Sequence, residues 1–314
     1  MSKNNKSPCI FLMGPTASGK TELAIFLTKN LPCDIISVDS AMVYRGMDIG
    51  TAKPSADILA TAPHRLIDIR DPADVYSVGQ FVENAHAEIK AIHATGRIPL
   101  LVGGTMLYFN SLIKGLSELP TANLEIRKTL DEQAAQIGWP AMHQQLTDID
   151  PQAAQQIHPN DTQRIQRALE VYTISGRNIT TWRSETKGQS WLYPTIKLIV
   201  APAQRSILHD NVAKRFNIML EQGFIKEVEQ LFNRSDLDIS LPSMRCVGYR
   251  QVWNYLEGKL DYADLPEKAI VATRQLAKRQ LTWLRVLNDA VWFDNQNMNL
   301  NMQVLELLNT ELGA

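Results

Sequence analysis

Along the first third of the chain, short apolar runs rich in Ile, Leu and Val alternate with longer helix-like segments. Continuous apolar runs of this length suit strands buried on both faces, and the longer segments suit helices that cover them. The runs predict strands at Cys9 to Met13, Asp34 to Asp39, Arg65 to Ile69 and Ile98 to Val102. Helices are expected over Lys20 to Asn30, Ser77 to Thr95 and Met106 to Lys114. This alternation is the pattern of an α/β fold, a parallel sheet flanked by helices.

From about Asn123 to Gly188 the chain turns Gln-rich and Ala-rich, with Pro140, Pro151 and Pro159 as punctuation and almost no strand-like run. An all-helical insertion, 123–188, is therefore expected between two parts of the core, 1–122 and 189–314. Thr195 to Ala201 reads as a strand returning to the sheet, and Val291 to Asp294 as the last one. Helices are expected around Gln204 to Phe232, Val247 to Leu256 and Lys268 to Leu287, while the final twenty residues carry little signal.

Composition narrows the function classes. With 314 residues, 45% of them hydrophobic, the chain can bury a sizeable core. A formal net charge of -1 supplies no long-range pull on nucleic acid, so an RNA partner must be gripped by local clusters of Lys and Arg. Cys9, Cys33 and Cys246 are too scattered for a disulfide framework or a paired metal site, and a cytoplasmic location is expected. Met1 to Ser7 is polar, and the apolar stretch behind it is broken by Gly14 and Pro15, too short for a signal peptide or a membrane span. No membrane association is expected, and the chain is expected to act as a monomer.

The segment Gly14, Pro15, Thr16, Ala17, Ser18, Gly19, Lys20, Thr21 matches G-x-x-x-x-G-K-[ST] between an expected strand and an expected helix. Backbone N–H groups of such a loop converge on phosphate oxygens, the helix N-terminus adds favourable partial charge, Lys20 brings a full charge, and the Thr21 hydroxyl can hold Mg²⁺. The loop recognises a diphosphate, whatever carries it. Nucleotide hydrolases and kinases add an acid at the end of a second apolar strand, whereas Ile98 to Val102 ends in Gly103-Gly104. Asp39 and Asp68 remain as acids near strand ends, so the motif alone leaves ATP hydrolysis open.

Further blocks settle on one family. Asp39 to Pro54 (DSAMVYRGMDIGTAKP), Pro63 to Asp68, Gly103 to Tyr108, His158 to Asp161, Arg164 to Glu170, Arg245 to Arg250 and Ala272 to Arg285 resemble, in order, the blocks of tRNA dimethylallyltransferases. The resemblance covers Cys9 to about Arg285, and the lack of a Cys/His zinc finger after the core is similar to the bacterial form. It implies a P-loop-kinase-like parallel sheet with an inserted helical subdomain that contacts tRNA. The implied reaction moves a dimethylallyl group from dimethylallyl diphosphate to the N6 amine of the adenosine immediately 3′ of the anticodon, with Mg²⁺ and without consuming ATP.

The resemblance also assigns roles. Asp39 stands where a base for the adenine amine would sit, a metal-ligand role being its alternative; Lys20, Thr16 and Arg215 are the candidates for charge on the departing diphosphate. Asp39, Ser40, Ala41 and Met42 are expected against the target base, with Thr105 and Arg127 close to the RNA. Contacts to the anticodon stem-loop are expected from Gln163, Arg164, Ile165, Gln166 and Arg167, and from Arg245, Cys246, Val247, Gly248, Tyr249 and Arg250. The last group is Lys278, Arg279, Gln280, Leu281, Thr282, Trp283, Leu284 and Arg285. Arg274, Lys278 and Arg285, spaced by four and seven, fall on one helix face as a basic stripe. Taken without the resemblance, Thr105 reads as a helix N-cap, Arg127 as an exposed helical residue and the stripe as a solvated face. Rival readings are an ATP-dependent small-molecule kinase, transfer to free AMP, and a non-catalytic RNA-binding protein that senses a diphosphate.

Overall fold

The computed structural model describes residues 7–117, 119–185 and 191–313. The chain divides into two compact units, Met1–Asn110 with Leu192–Ala314, and Ser111–Trp191. The expected start of the insertion, Asn123, is the N-cap of a helix inside the second unit, its side chain accepting from the Glu125 and Ile126 N–H groups. The expected end, Gly188, lies outside the described residues.

In the first unit the order is β1 (Cys9–Met13), α1 (Lys20–Asn30), β2 (Cys33–Val38), α2 (Ala56–Thr61), β3 (His64–Arg65), α3 (Val78–Ala94), β4 (Ile98–Gly103) and α4 (Met106–Lys114), within which the division falls. The second unit holds α5 (Leu124–Ile137), α6 (Trp139–Ile149), α7 (Pro151–Gln156), α8 (Thr162–Ser175) and α9 (Ile179–Glu185). The first unit resumes with β5 (Thr195–Ala201), α10 (Arg205–Glu221), α11 (Phe224–Phe232), α12 (Tyr249–Leu256), α13 (Leu265–Leu284), β6 (Val291–Asp294) and α14 (Leu300–Leu312).

The strands form a sheet in the order β3-β2-β4-β1-β5-β6, every pair parallel. This is the P-loop-kinase-like α/β arrangement expected from the sequence. β1 is buried along its whole length because helices cover both faces. Ile10 and Leu12 belong to a core with Leu23 and Leu27 of α1 and with Val304 and Leu308 of α14. Phe11 points the other way and packs against Phe109, ring centroids 5.0 Å apart.

Three expectations need correction. The strand foreseen from Arg65 to Ile69 stops after Arg65, because Leu66 (φ 63°) and Asp68 (φ 56°) adopt left-handed backbone that cannot continue a ladder. The single helix foreseen from Gln204 to Phe232 is two, broken at Gly223 with φ 95°. Within the final twenty residues, which carried little signal, Leu300–Leu312 form α14, whose Val304 and Leu308 are fully buried.

The second unit is helical throughout its described secondary structure, around a core that includes Met142, Leu146, Ile165 and Val171. Its polar centre is Glu170, whose side chain is fully buried. Arg127 grips it bidentately (Nε to Oε1 2.9 Å, Nη2 to Oε2 3.1 Å), Arg167 donates to Oε2 at 2.6 Å, and the Asn123 N–H donates to Oε1 at 2.8 Å. Burial pushes the Glu170 pKa up, but these donors outweigh it and hold the carboxyl below the usual glutamate range. Its contribution to stability is present above the unfolded-state pKa and fades as pH falls through the lower folded value. Glu170→Ala should destabilise the unit by roughly 3 kcal/mol, towards the low end for a broken buried pair because both guanidinium groups still reach water. Denaturant titration followed by circular dichroism checks this.

Candidate active site

β1, β2 and β4 run in one direction and end side by side, so the residues just past them gather at one edge of the sheet. In open α/β sheets ligands bind at this carboxyl edge. Gly103, the last residue of β4, is pressed so close to β2 that a Cβ there would lie 2.0 Å from the Val38 carbonyl oxygen. No metal-binding acid can therefore stand at that position.

The loop from Gly14 to Thr21 leaves β1 and enters α1 at Lys20. Ala17 sits at φ 62°, a left-handed conformation that costs an alanine roughly 1 kcal/mol, and Gly19 sits at φ 81°. Left-handed residues in such a run turn neighbouring N–H groups to one side, which is the geometry of an anion-binding nest.

One pocket is lined by Thr16, Lys20, Thr21, Asp39 and Arg215 together. Arg215 comes from α10, with Nη1 3.4 Å from the Thr16 hydroxyl oxygen and Nη2 donating to the Thr51 carbonyl at 3.1 Å. The Lys20 ammonium donates to the Pro15 carbonyl at 2.6 Å. Lys20 is half-buried, and its ammonium also lies 3.3 Å from the Ser18 hydroxyl oxygen. Burial and the neighbouring Arg215 charge lower its pKa to about 7, with Asp39 opposing the shift. Burial likewise lowers the Arg215 pKa, again opposed by Asp39. Two cations share the pocket with one carboxylate, and a diphosphate anion would relieve their mutual repulsion.

Asp39 stands just past β2 and faces the same pocket. Its Oδ1 accepts the N–H groups of Ala41 (2.8 Å) and Met42 (3.2 Å), which fixes the carboxylate and bends the chain after it. Oδ2 has no hydrogen-bond partner among the described residues. The Thr105 hydroxyl accepts the Ser40 N–H at 3.1 Å, tying the end of β2 to the start of α4. Thr105 thus braces the Asp39 segment with its side chain. Burial, with a smaller contribution from the Asp39 carboxylate, pushes the thiol of Cys246, in the segment before α12, up to about 12.

Other expected residues divide by location. Lys20, Thr16, Thr21, Asp39, Met42 and Arg215 meet in the pocket, and Gln280 joins them from α13. Its Oε1 accepts the Thr16 N–H at 2.9 Å while its Nε2 donates to the Gly104 carbonyl at 2.9 Å. Gln280 therefore serves the phosphate loop, and its place in the RNA group rests on the resemblance alone. Arg245, Arg250, Lys278, Arg279, Thr282, Trp283 and Arg285 are exposed, whereas Tyr249 and Leu284 are fully buried. Arg274 leaves the supposed stripe: it reaches the His209 carbonyl on α10 at 3.5 Å, and its Nε is buried without a partner. In the second unit Ile165 is fully buried in the core, Gln163 and Arg164 are exposed, and Gln166 donates to Asp131 at 2.7 Å.

Thr51, His64 and Ser37 also line the pocket and escaped sequence reasoning. Thr51 and His64 lie in recognised blocks, yet nothing in their spacing marks them as facing the loop. Among the described residues no cluster of three or more His, Cys, Asp or Glu could hold a metal ion. None of their helices is long and apolar enough to cross a membrane.

Residues 42–286 match the family model described as IPP transferase, which is most of the chain. The chain belongs to the IPP transferase family. It is accordingly a prenyltransferase of the tRNA isopentenyl and dimethylallyl transferase type. The matched segment begins after the phosphate loop and Asp39, but full-length structures extend the likeness over both. A tRNA isopentenylpyrophosphate transferase from Bacillus halodurans is 35% identical, with a TM-score of 0.72, covering 98% of this chain and 97% of that one. The tRNA Δ2-isopentenylpyrophosphate transferase of Staphylococcus epidermidis is 31% identical, with a TM-score of 0.69 over 97% of this chain and 99% of that one. A eukaryotic dimethylallyltransferase seen acting on tRNA is 25% identical, with a TM-score of 0.80 over 97% of this chain and 79% of its own.

Proposed function

We propose that this prenyltransferase moves a dimethylallyl group from dimethylallyl diphosphate to the N6 amine of the adenosine immediately 3′ of the anticodon in tRNA, releasing diphosphate. The observation that carries the reading is the pocket in which Lys20 and Arg215 flank the phosphate loop while Asp39 shares the same cavity. An exocyclic adenine amine is a weak nucleophile because its lone pair is delocalised into the ring, so a fixed carboxylate that accepts its proton lowers the barrier. The N6 nitrogen bonds to C1 of the prenyl group, the C1–O bond breaks, the electron pair leaves with the diphosphate, and the proton passes to Asp39. Lys20, Arg215 and the loop amides stabilise the charge that builds on the departing oxygen.

Mg²⁺ fits the donors present. The Thr21 hydroxyl, which lines the pocket, and the diphosphate itself are hard oxygen ligands, and Mg²⁺ takes few protein ligands beside phosphate and water. When bound it would neutralise diphosphate charge. The exposed cations Arg245, Arg250, Lys278, Arg279 and Arg285 are available for an RNA backbone. A relative captured acting on tRNA supports this acceptor over free AMP.

Incubating the chain with labelled dimethylallyl diphosphate, unmodified tRNA and Mg²⁺, without ATP, should place the label on the adenosine 3′ of the anticodon after nuclease digestion and chromatography. Label on AMP in preference to tRNA, or γ-phosphate transfer from ATP to a small molecule, would end this reading.

A further inference from the structure

Glu227, on α11, takes no part in the proton or charge transfer above, yet its carboxylate accepts four hydrogen bonds. Oε2 takes the N–H groups of Asp48 (3.0 Å) and Ile49 (2.6 Å), and Oε1 takes the Gly50 N–H (3.1 Å) and the Tyr249 hydroxyl (2.5 Å). Three successive amides converge on one charged acceptor, so the turn closes around a side chain brought from far along the sequence. Gly50 lets it close: a Cβ there would meet the Phe224 ring at 2.1 Å and the Tyr249 ring at 2.6 Å. The next residue is Thr51, whose carbonyl accepts Arg215 Nη2 at 3.1 Å and which lines the pocket. A second anchor fixes the far side of the same turn, where Lys53 bridges Asp48, Asp68 and the Tyr44 carbonyl.

We propose that Glu227 is a positioning residue for the transfer: by clamping the turn at 48–50 it sets the Thr51 carbonyl, and through it the Arg215 guanidinium, against the leaving diphosphate. The inference rests on the proposed role of Arg215. Among the described residues Arg215 hydrogen-bonds to Thr16 and Thr51, so losing the Thr51 carbonyl frees the fork to swing away from the loop. A guanidinium misplaced by an ångström stabilises the departing charge poorly while barely changing how tRNA binds.

Glu227→Gln keeps the size of the side chain but offers one acceptor oxygen, leaving the Gly50 amide facing an NH₂ group. The turn should loosen next to Thr51. The expected result is a fall in kcat of about tenfold to a hundredfold, with tRNA affinity changed by less than about twofold. Tyr249→Phe, which removes only the fourth donor, should show the same pattern more weakly. The decisive measurement is a double-mutant cycle with Arg215→Ala: in that background Glu227→Gln should cost less than about twofold further, because the group it positions is gone. Independent, multiplying losses from the two substitutions, or Glu227→Gln proteins that fold normally and turn over like the parent, overturn the inference. Full activity of Arg215→Ala by itself would instead overturn the reading of the pocket, and this inference with it. Thermal melts on each variant separate loss of fold from loss of rate.

Discussion

Replacing Asp39 with alanine should lower prenyl transfer by about two to four orders of magnitude and leave tRNA binding in place. The loss follows from removing the proton acceptor in the pocket, while the exposed cations that would grip RNA stay where they are. The substitution has one structural side effect, since Oδ1 also accepts the Ala41 and Met42 amides. Asp39→Asn keeps an acceptor for those amides but cannot take a proton, so it separates the two roles. Single-turnover transfer with saturating tRNA, beside a filter-binding measurement of tRNA affinity, checks both halves. An Asp39→Asn protein with parental turnover would remove the carboxylate from the chemistry.

The second large effect concerns Lys20. Lys20→Met should abolish measurable transfer, because it strips the loop of its full charge where the diphosphate binds and leaves. The wild-type protein should also show a pH signature. With the Lys20 pKa lowered to about 7 by burial and by Arg215, the free protein loses the ammonium charge as pH rises above that value. Diphosphate favours the charged form and raises the pKa again in the complex. Hence kcat/KM for the prenyl diphosphate should fall above pH 7 while kcat stays nearly level, since the two report free and bound states. Lys20→Arg, which cannot lose its proton in this range, should lack the alkaline fall even if its rate is low. A flat kcat/KM profile from pH 6.5 to 9 would remove the proposed Lys20 titration.

The sheet was legible because parallel strands covered on both faces must be continuously apolar, and Cys9 to Met13, Ile98 to Val102 and Thr195 to Ala201 carry little else. β3 misled for the same reason: Leu66, Ile67 and Ile69 are apolar, but the backbone turns left-handed at Leu66 and Asp68. Nothing in the composition of Leu66 announces that. α14 shows its signal only in period, for Val304 and Leu308 are one turn apart and both face the core. The phosphate loop and Asp39 could be placed from motif and strand end. Arg215 could not, because only the tertiary fold brings α10 over the loop; the resemblance supplied it. Gln280 shows the limit of transferring whole blocks. Lys278, Arg279, Thr282 and Trp283 beside it on α13 are exposed, while Gln280 reaches the Thr16 amide and the Gly104 carbonyl.

The core around the helix that opens on the phosphate loop is completed from far along the sequence: Leu23 and Leu27 of α1 share it with Val304 and Leu308 of α14. During synthesis, therefore, the part of this core that α14 covers stays exposed until α14 itself has left the ribosome. Such distant pairings form slowly and expose sticky surface meanwhile. A nascent chain halted before α14 should attract chaperones and be easily clipped by proteases.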